Sequence, residues 1–147
     1  MKLLVIYDST YGNTEKIAEA IGQAVAAEVR RVGQVSFSDL KAFDLVIIGS
    51  PTLGGRSTEA IQTLLKTADV TLKGIRAAAF DTRLTSKWVR IFGYAAPRIA
   101  GSLEELGATL LGSPEGFFVL GKEGPLKEGE LERAAGWAKE VVKSATR

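Results

Sequence analysis

Leu3-Leu4-Val5-Ile6-Tyr7-Asp8-Ser9-Thr10-Tyr11-Gly12-Asn13-Thr14 sets an unbroken apolar run directly against a bend of short polar side chains. The run is rich in strand formers and does not alternate, which is the pattern of a strand covered on both faces of a parallel sheet. From Thr14 to Ala27, Ile17, Ala18, Ile21, Ala24 and Val25 recur at helical spacing. A buried strand that passes into an amphipathic helix through so short a bend predicts the first crossover unit of an α/β sheet.

Working outward, Leu45-Val46-Ile47-Ile48 repeats the buried-strand pattern, and Ala77-Ala78-Ala79-Phe80 and Gly116-Phe117-Phe118-Val119-Leu120 are weaker versions of it. Glu28-Val29-Arg30-Arg31-Val32 carries charges that suit an edge strand. Helical spacing returns over Glu59–Thr67 (Ile61, Leu64, Leu65), over Ala95–Leu106 (Ile99, Leu103, Leu106) and over Gly129–Ala145, where Trp137 joins the apolar stripe. The alternation predicts one α/β domain over residues 1–147: a three-layer sandwich in which helices cover both faces of a five-stranded parallel sheet through right-handed crossovers. Ligands of such sheets sit beyond the carboxyl ends of the strands, where strand order reverses.

Composition removes much chemistry. The chain has no Cys and no His, which excludes disulfides, thiolate nucleophiles, Ser-His-Asp catalysis, iron–sulfur clusters and the commonest metal ligands. Redox or group-transfer chemistry must come from an organic cofactor. No apolar run approaches the ~20 residues of a membrane span, and the start of the chain lacks a signal-type apolar segment, so a cytoplasmic protein is expected. The formal charge of +2 is uneven: residues 1–50 carry five basic and six acidic side chains, residues 51–100 eight and three, and residues 101–147 six and eight. That basic middle lacks the aromatic interleaving of a nucleic-acid surface, so no nucleic-acid partner is expected.

Three loops lie at the carboxyl edge. In Asp8–Thr14, hydroxyl and amide side chains, Gly12 and the free N–H groups of a helix start form a nest for a phosphate dianion. Ser9, Thr10 and Thr14 could instead simply cap the helix. The loop has neither the Gly-Lys-Ser/Thr of a triphosphate loop nor a Gly-x-Gly-x-x-Gly, which leaves a monophosphate. In Gly49-Ser50-Pro51-Thr52-Leu53-Gly54-Gly55-Arg56, paired glycines allow the backbone to lie flat against a planar ring and to change peptide orientation, unless they form a plain turn. The third loop is read from Asp81-Thr82-Arg83 to about Tyr94.

Tyr7-Asp8-Ser9-Thr10-Tyr11-Gly12-Asn13-Thr14-Glu15-Lys16-Ile17-Ala18 resembles the phosphate loop of the flavodoxin family, which binds FMN, and within that family is most similar to the flavodoxin modules of A-type flavoproteins. The resemblance spans nearly the whole chain, with no long insertion splitting the last strand, as in short-chain members. It implies strand order 2-1-3-4-5 and a cofactor site of Ser9, Thr10, Tyr11, Gly12, Asn13 and Thr14 around the phosphate. Pro51, Thr52, Leu53, Gly54 and Gly55 would line one side of the flavin, with Gly54 or Gly55 turning a carbonyl toward N5–H. Asp81, Thr82 and Arg83 would lie near the pyrimidine edge, and Trp88, or else Tyr94, would stack on the ring.

The function expected from this resemblance is electron transfer on noncovalent FMN with redox partner proteins. The alternative is an FMN-dependent NAD(P)H:quinone-type oxidoreductase, against which stands the absence of a dinucleotide fingerprint. A phospho-acceptor receiver is discarded, because Gly49-Ser50 ends the third strand where an acidic residue is needed; a scaffold without cofactor remains open. Diiron chemistry cannot reside in a chain without His. Two departures from acidic relatives stand out: Leu53 occupies a place where many carry a large aromatic residue, and Arg56, Arg83, Lys87 and Arg90 fall in the two ring-facing segments. Positive charge there predicts a less negative potential for forming the fully reduced flavin anion, and a partner with an acidic docking face.

Overall fold

The computed structural model describes residues 1–85 and 93–146. In chain order the elements are β1 (Leu3–Tyr7), α1 (Asn13–Val25), β2 (Glu28–Arg31), two 3₁₀ turns (Val32–Gln34 and Phe37–Ala42), β3 (Leu45–Pro51), α2 (Glu59–Lys66), β4 (Arg76–Leu84), α3 (Ala95–Glu105), β5 (Thr109–Leu110), β6 (Glu115–Val119) and α4 (Glu130–Ala145). All pairings between these strands are parallel, in the order β2-β1-β3-β4-β5, with β6 also on β4.

The period of two along each strand divides the core. Leu4, Ile6, Val46, Ile48, Ala77 and Ala79 face one layer, made by α2, α3 and the 3₁₀ turns through Ile61, Leu64, Leu65, Ile99, Leu103, Phe37 and Leu40. Leu3, Val5, Tyr7, Leu45, Ile47, Ala78 and Phe80 face the other, made by α1 and α4 through Ile17, Ile21, Ala134, Ala138 and Val141. Two covered faces explain why β1 and β3 read as continuous apolar runs. In the second layer Phe80, Phe117 and Trp137 meet edge to face, with ring centroids 6.0–6.2 Å apart. Gly49 makes this possible, since a Cβ there would stand 2.0 Å from a Phe80 ring carbon.

Two expectations are corrected. The fifth lane of the sheet holds two short strands rather than one: β5 pairs with Arg76 and Ala77, and β6 with Phe80 to Leu84, interrupted by Leu111-Gly112-Ser113-Pro114. The interruption follows from chemistry, because Gly112 adopts φ 65° and Pro114 has no N–H to give a ladder. Finally, β4 runs on through Asp81, Thr82 and Arg83 to Leu84, so those residues are strand and not loop.

Behind β6, Glu130 is 5% exposed. It accepts from Phe118 N at 2.7 Å and from Arg133 Nε at 2.9 Å and Nη2 at 2.7 Å, and Arg133 reaches Glu115 Oε1 at 2.9 Å. The Arg133 guanidinium holds the Glu130 carboxyl below its ordinary range; burial opposes this and the Phe118 amide adds to it. A carboxyl depressed by folding stabilises above its unfolded pKa of about 4.3, and that stability disappears as pH falls through the folded value. The urea midpoint should therefore drop more steeply as pH falls below about 5 in the natural chain than in Glu130→Gln. Parallel pH profiles for the two proteins would remove Glu130 from this role.

Candidate functional site

The carboxyl ends of β1, β3, β4 and β6 converge on one cleft. It is lined by Ser9, Thr10, Tyr11, Asn13, Thr14, Pro51, Thr52, Leu53, Thr82, Arg83, Leu84, Val119 and Lys122. Its enclosed volume is about 80 Å³, small against the ~300–1,000 Å³ that surrounds a whole drug-sized ligand. A compact polar group fits inside, and anything flat attached to it must lie along the rim. At that rim Tyr11 is 44% and Leu53 48% exposed, so both side chains are open to a ligand.

The first loop is built so that its donors stay available. Gly12 is the N-cap of α1 at φ 93°, and no side chain caps the helix. Ser9 Oγ accepts instead from Gly12 N at 2.9 Å, a bond that folds the loop back upon itself. The capping alternative is thereby set aside, and the amides of Asn13, Thr14 and Glu15 are left at the positive end of the helix without an intrahelical acceptor. Behind the loop, Arg31 Nη1 donates to Asp8 Oδ1 and to Ser9 O, both at 3.2 Å, and its guanidinium lies 5.3 Å from the centre of the Tyr7 ring. Tyr7 OH donates to Glu15 Oε2 at 2.6 Å, and this bond to a carboxylate is the first cause of the raised Tyr7 pKa, with burial second.

The second loop closes through a two-residue turn. Leu53 N donates to Arg56 O at 2.8 Å and Arg56 N to Leu53 O at 3.1 Å, with Gly54 at φ 57° and Gly55 at φ 82° between them. Positive φ at both central positions is the type I′ geometry, which accounts for the glycine pair. Thr52 ties this loop to its neighbours: its N–H donates to Thr82 O at 2.9 Å, and its Oγ1 accepts from Ala95 N at 3.1 Å.

At β4, Thr82 Oγ1 and Thr14 Oγ1 are 2.8 Å apart and buried, which locks the first loop to the third segment. Asp81 does not line the cleft. It is 0% exposed, takes Arg83 Nε and Nη2 at 2.7 and 2.8 Å, and accepts from Ala96 N at 2.9 Å in the first turn of α3. Its carboxylate thus holds α3 and Arg83 in place. The Arg83 guanidinium in turn lies 3.5 Å from the centre of the Tyr94 ring, which occupies that face of Tyr94. Because Arg83 is matched by Asp81, it adds no net charge beside the cleft, contrary to the sequence expectation. Trp88, Lys87 and Arg90 lie outside the described residues.

The predicted residues that meet at the cleft are therefore Ser9, Thr10, Tyr11, Asn13, Thr14, Pro51, Thr52, Leu53, Thr82 and Arg83, with Gly12, Gly54 and Gly55 shaping the backbone behind them. Leu84, Val119 and Lys122 were not expected. The segment Gly121-Lys122-Glu123-Gly124-Pro125 follows the last strand and reads as a turn from its glycines and proline, so its position at the carboxyl edge was available as a signal. The structure docks it on the first loop, where Asn13 Nδ2 donates to Glu123 O at 3.3 Å.

A family model described as Flavodoxin matches residues 5–137. A flavodoxin of Maridesulfovibrio salexigens is 32% identical over 123 residues, covering 76% of this chain and 82% of that protein. An NAD(P)H dehydrogenase (quinone) of Cupriavidus metallidurans is 26% identical over 141 residues, covering 77% and 71%. Among solved structures, oxidised flavodoxin 2 from Bacillus cereus superposes with a TM-score of 0.84 at 23% identity, over 97% of this chain and 99% of that one.

Proposed function

Because the chain belongs to the flavodoxin family, whose members bind FMN and transfer electrons, we propose that its cleft seats FMN with the phosphate inside the Ser9–Thr14 loop and the flavin along the rim between Tyr11 and Leu53. The observation that carries this placement is the uncapped start of α1, which leaves the amides of Asn13, Thr14 and Glu15 without an intrahelical acceptor beside a cleft that Ser9, Thr10, Asn13 and Thr14 line. Bound FMN supplies the one- and two-electron chemistry that a chain without Cys or His lacks. The residues orient it: Thr14 and Thr82 fix the floor, and the Leu53–Arg56 turn presents a backbone able to change peptide orientation at Gly54 or Gly55.

The test is direct. Apoprotein titrated with FMN should quench flavin fluorescence and retain the cofactor through gel filtration; a protein that does neither has no cofactor role. The relative named NAD(P)H dehydrogenase (quinone) favours one alternative, direct hydride acceptance from NAD(P)H. Oxidation of NADPH by the FMN-loaded protein with a quinone, in the absence of any reductase, separates that enzyme from a carrier, which needs a reductase.

Lys122 is the cation on the phosphate side of the cleft that has no ion-pair partner among the described residues. Lys122→Gln should weaken FMN about three- to tenfold, the effect shrinking with added salt, while riboflavin affinity stays level. An equal loss for both ligands would mean that Lys122 only supports the loop.

With Arg83 neutralised, Lys122 is the cation lining the cleft that has no ion-pair partner among the described residues. We place the couple that yields the fully reduced anion at a less negative potential than in strongly acidic relatives, and the docking face of a redox partner as acidic. Redox titration of the FMN-loaded protein checks the first, and a potential as low as in those relatives refutes it. Electron-transfer rates that ignore ionic strength would refute the second.

A further inference from the structure

Two consecutive arginines end β2, and the period of two along a strand sends them to opposite faces of the sheet. Arg30 pairs with Glu28 Oε1 at 2.8 Å and lies 5.7 Å from the centre of the Phe43 ring, in one core layer. Arg31 stands opposite Tyr7 in the β1–β2 register, and Tyr7 belongs to the other layer. Its guanidinium therefore meets the strand end that leads into the phosphate loop. Nη1 donates to Asp8 Oδ1 and to Ser9 O, both at 3.2 Å, and Nη2 stands 3.9 Å from Glu15 Oε2.

These contacts fix Ser9. Its N–H donates to Asp8 Oδ1 at 2.9 Å, its carbonyl accepts from Arg31, and its Oγ accepts from Gly12 N at 2.9 Å. The backbone of a residue that lines the FMN cleft is thus held on both sides of its Cα. The same arrangement carries an electrostatic liability. Asp8 precedes the loop and Glu15 lies in the first turn of α1, so two carboxylates flank the segment that is to receive a dianion. Like charges brought together there oppose binding. Arg31 faces both carboxylates, and the three side chains together carry one net negative charge instead of two.

We propose that Arg31 is a positioning residue for the FMN phosphoryl group: it offsets Asp8 and Glu15, pins Ser9, and thereby strengthens the preference for a phosphorylated flavin over a neutral one. This rests on the FMN reading of the cleft. Arg31 acts through the Asp8 carboxylate and the Ser9 carbonyl that it holds. A guanidinium suits the task because its planar fork serves two acceptors at once.

The test compares FMN with riboflavin, which lacks the phosphoryl group, by flavin fluorescence on the apoprotein. In Arg31→Gln the affinity for FMN should fall about three- to tenfold, less at high salt, while that for riboflavin changes by less than about twofold. Riboflavin thereby also reports that the variant is folded with its flavin site intact. Asp8→Asn/Arg31→Gln returns the cluster to its natural net charge and keeps an oxygen for the Ser9 amide, so most of the FMN affinity should be recovered. Arg30→Gln removes the same charge from the opposite face and should leave the ratio of the two affinities unchanged. The proposal is overturned if Arg31→Gln keeps the natural ratio, if both ligands weaken equally, if Asp8→Asn brings no recovery, or if Arg30→Gln lowers the ratio as far. A natural chain that prefers FMN beside an Arg31→Gln variant with the same preference sinks this proposal alone, whereas a natural chain that holds neither flavin ends the FMN reading as well.

Discussion

Asp81→Ala should cost about 3–5 kcal/mol of folding stability, among the largest losses expected from a single side chain here. The size follows from what the carboxylate holds. Asp81 is wholly buried, with a bidentate bond to Arg83 at 2.7 and 2.8 Å and a third bond from Ala96 N. Its removal leaves a guanidinium whose side chain is 15% exposed without a counter-charge, and an orphan amide in the first turn of α3. Arg83 cannot swing away easily, because it is packed between the Tyr94 ring and Gly116, where an added Cβ would stand 2.1 Å from Nε. Against a typical total of ~5–15 kcal/mol, such a loss moves the protein close to unfolding at ordinary temperature. Asp81→Ala/Arg83→Met, which removes the stranded charge as well, should recover a large part of the loss, since an apolar replacement of a buried pair is often nearly neutral. Urea unfolding of the three proteins decides the matter. A single variant within about 1 kcal/mol of the natural chain, or a double variant no better than the single, would show the pair to be unimportant.

The same three residues show where the sequence can and cannot be read. Leu3–Tyr7 and Leu45–Ile48 announced buried parallel strands because both faces of the sheet are covered, and nothing but an apolar run satisfies that environment. Asp81-Thr82-Arg83 gave the opposite signal: charged and hydroxyl residues read as loop. They are strand because Asp81 and Arg83 neutralise each other and because β6 supplies a ladder across Phe80 to Leu84, facts of pairing rather than of local composition. Thr109–Leu110 was too short to register as a strand at all. In the site, the phosphate loop was legible since its chemistry is local: one glycine, several hydroxyls and a helix start. The floor contact between Thr14 and Thr82, sixty-eight positions apart, was not. Lys122 escaped notice for a related reason, as its turn reaches the first loop only through the Asn13–Glu123 bond.

Riboflavin should bind the apoprotein about 10³-fold or more weakly than FMN. The two ligands differ only in the phosphoryl group, so the ratio measures what the Ser9–Thr14 loop contributes. Gly12 turns the chain at φ 93° so that the N-terminal amides of α1 point outward, and no side chain among the described residues caps them. Hydrogen bonds to a charged acceptor contribute about 1.5–3 kcal/mol each, and the helix end adds about 0.3–1 kcal/mol. Three such bonds, one for each free amide, give about 4.5 kcal/mol or more and so exceed the ~4.1 kcal/mol that corresponds to a thousandfold ratio. The enclosed space of about 80 Å³ also works against riboflavin, whose terminal hydroxyl would leave several of those donors facing an incompletely filled pocket. Gly12→Ala tests the geometry separately: a Cβ there meets no neighbour within 4 Å, so the substitution acts through backbone conformation. It should lower FMN affinity while leaving that of riboflavin almost unchanged, compressing the ratio. Comparable affinities of the natural chain for the two ligands would mean that the loop is a helix start and nothing more.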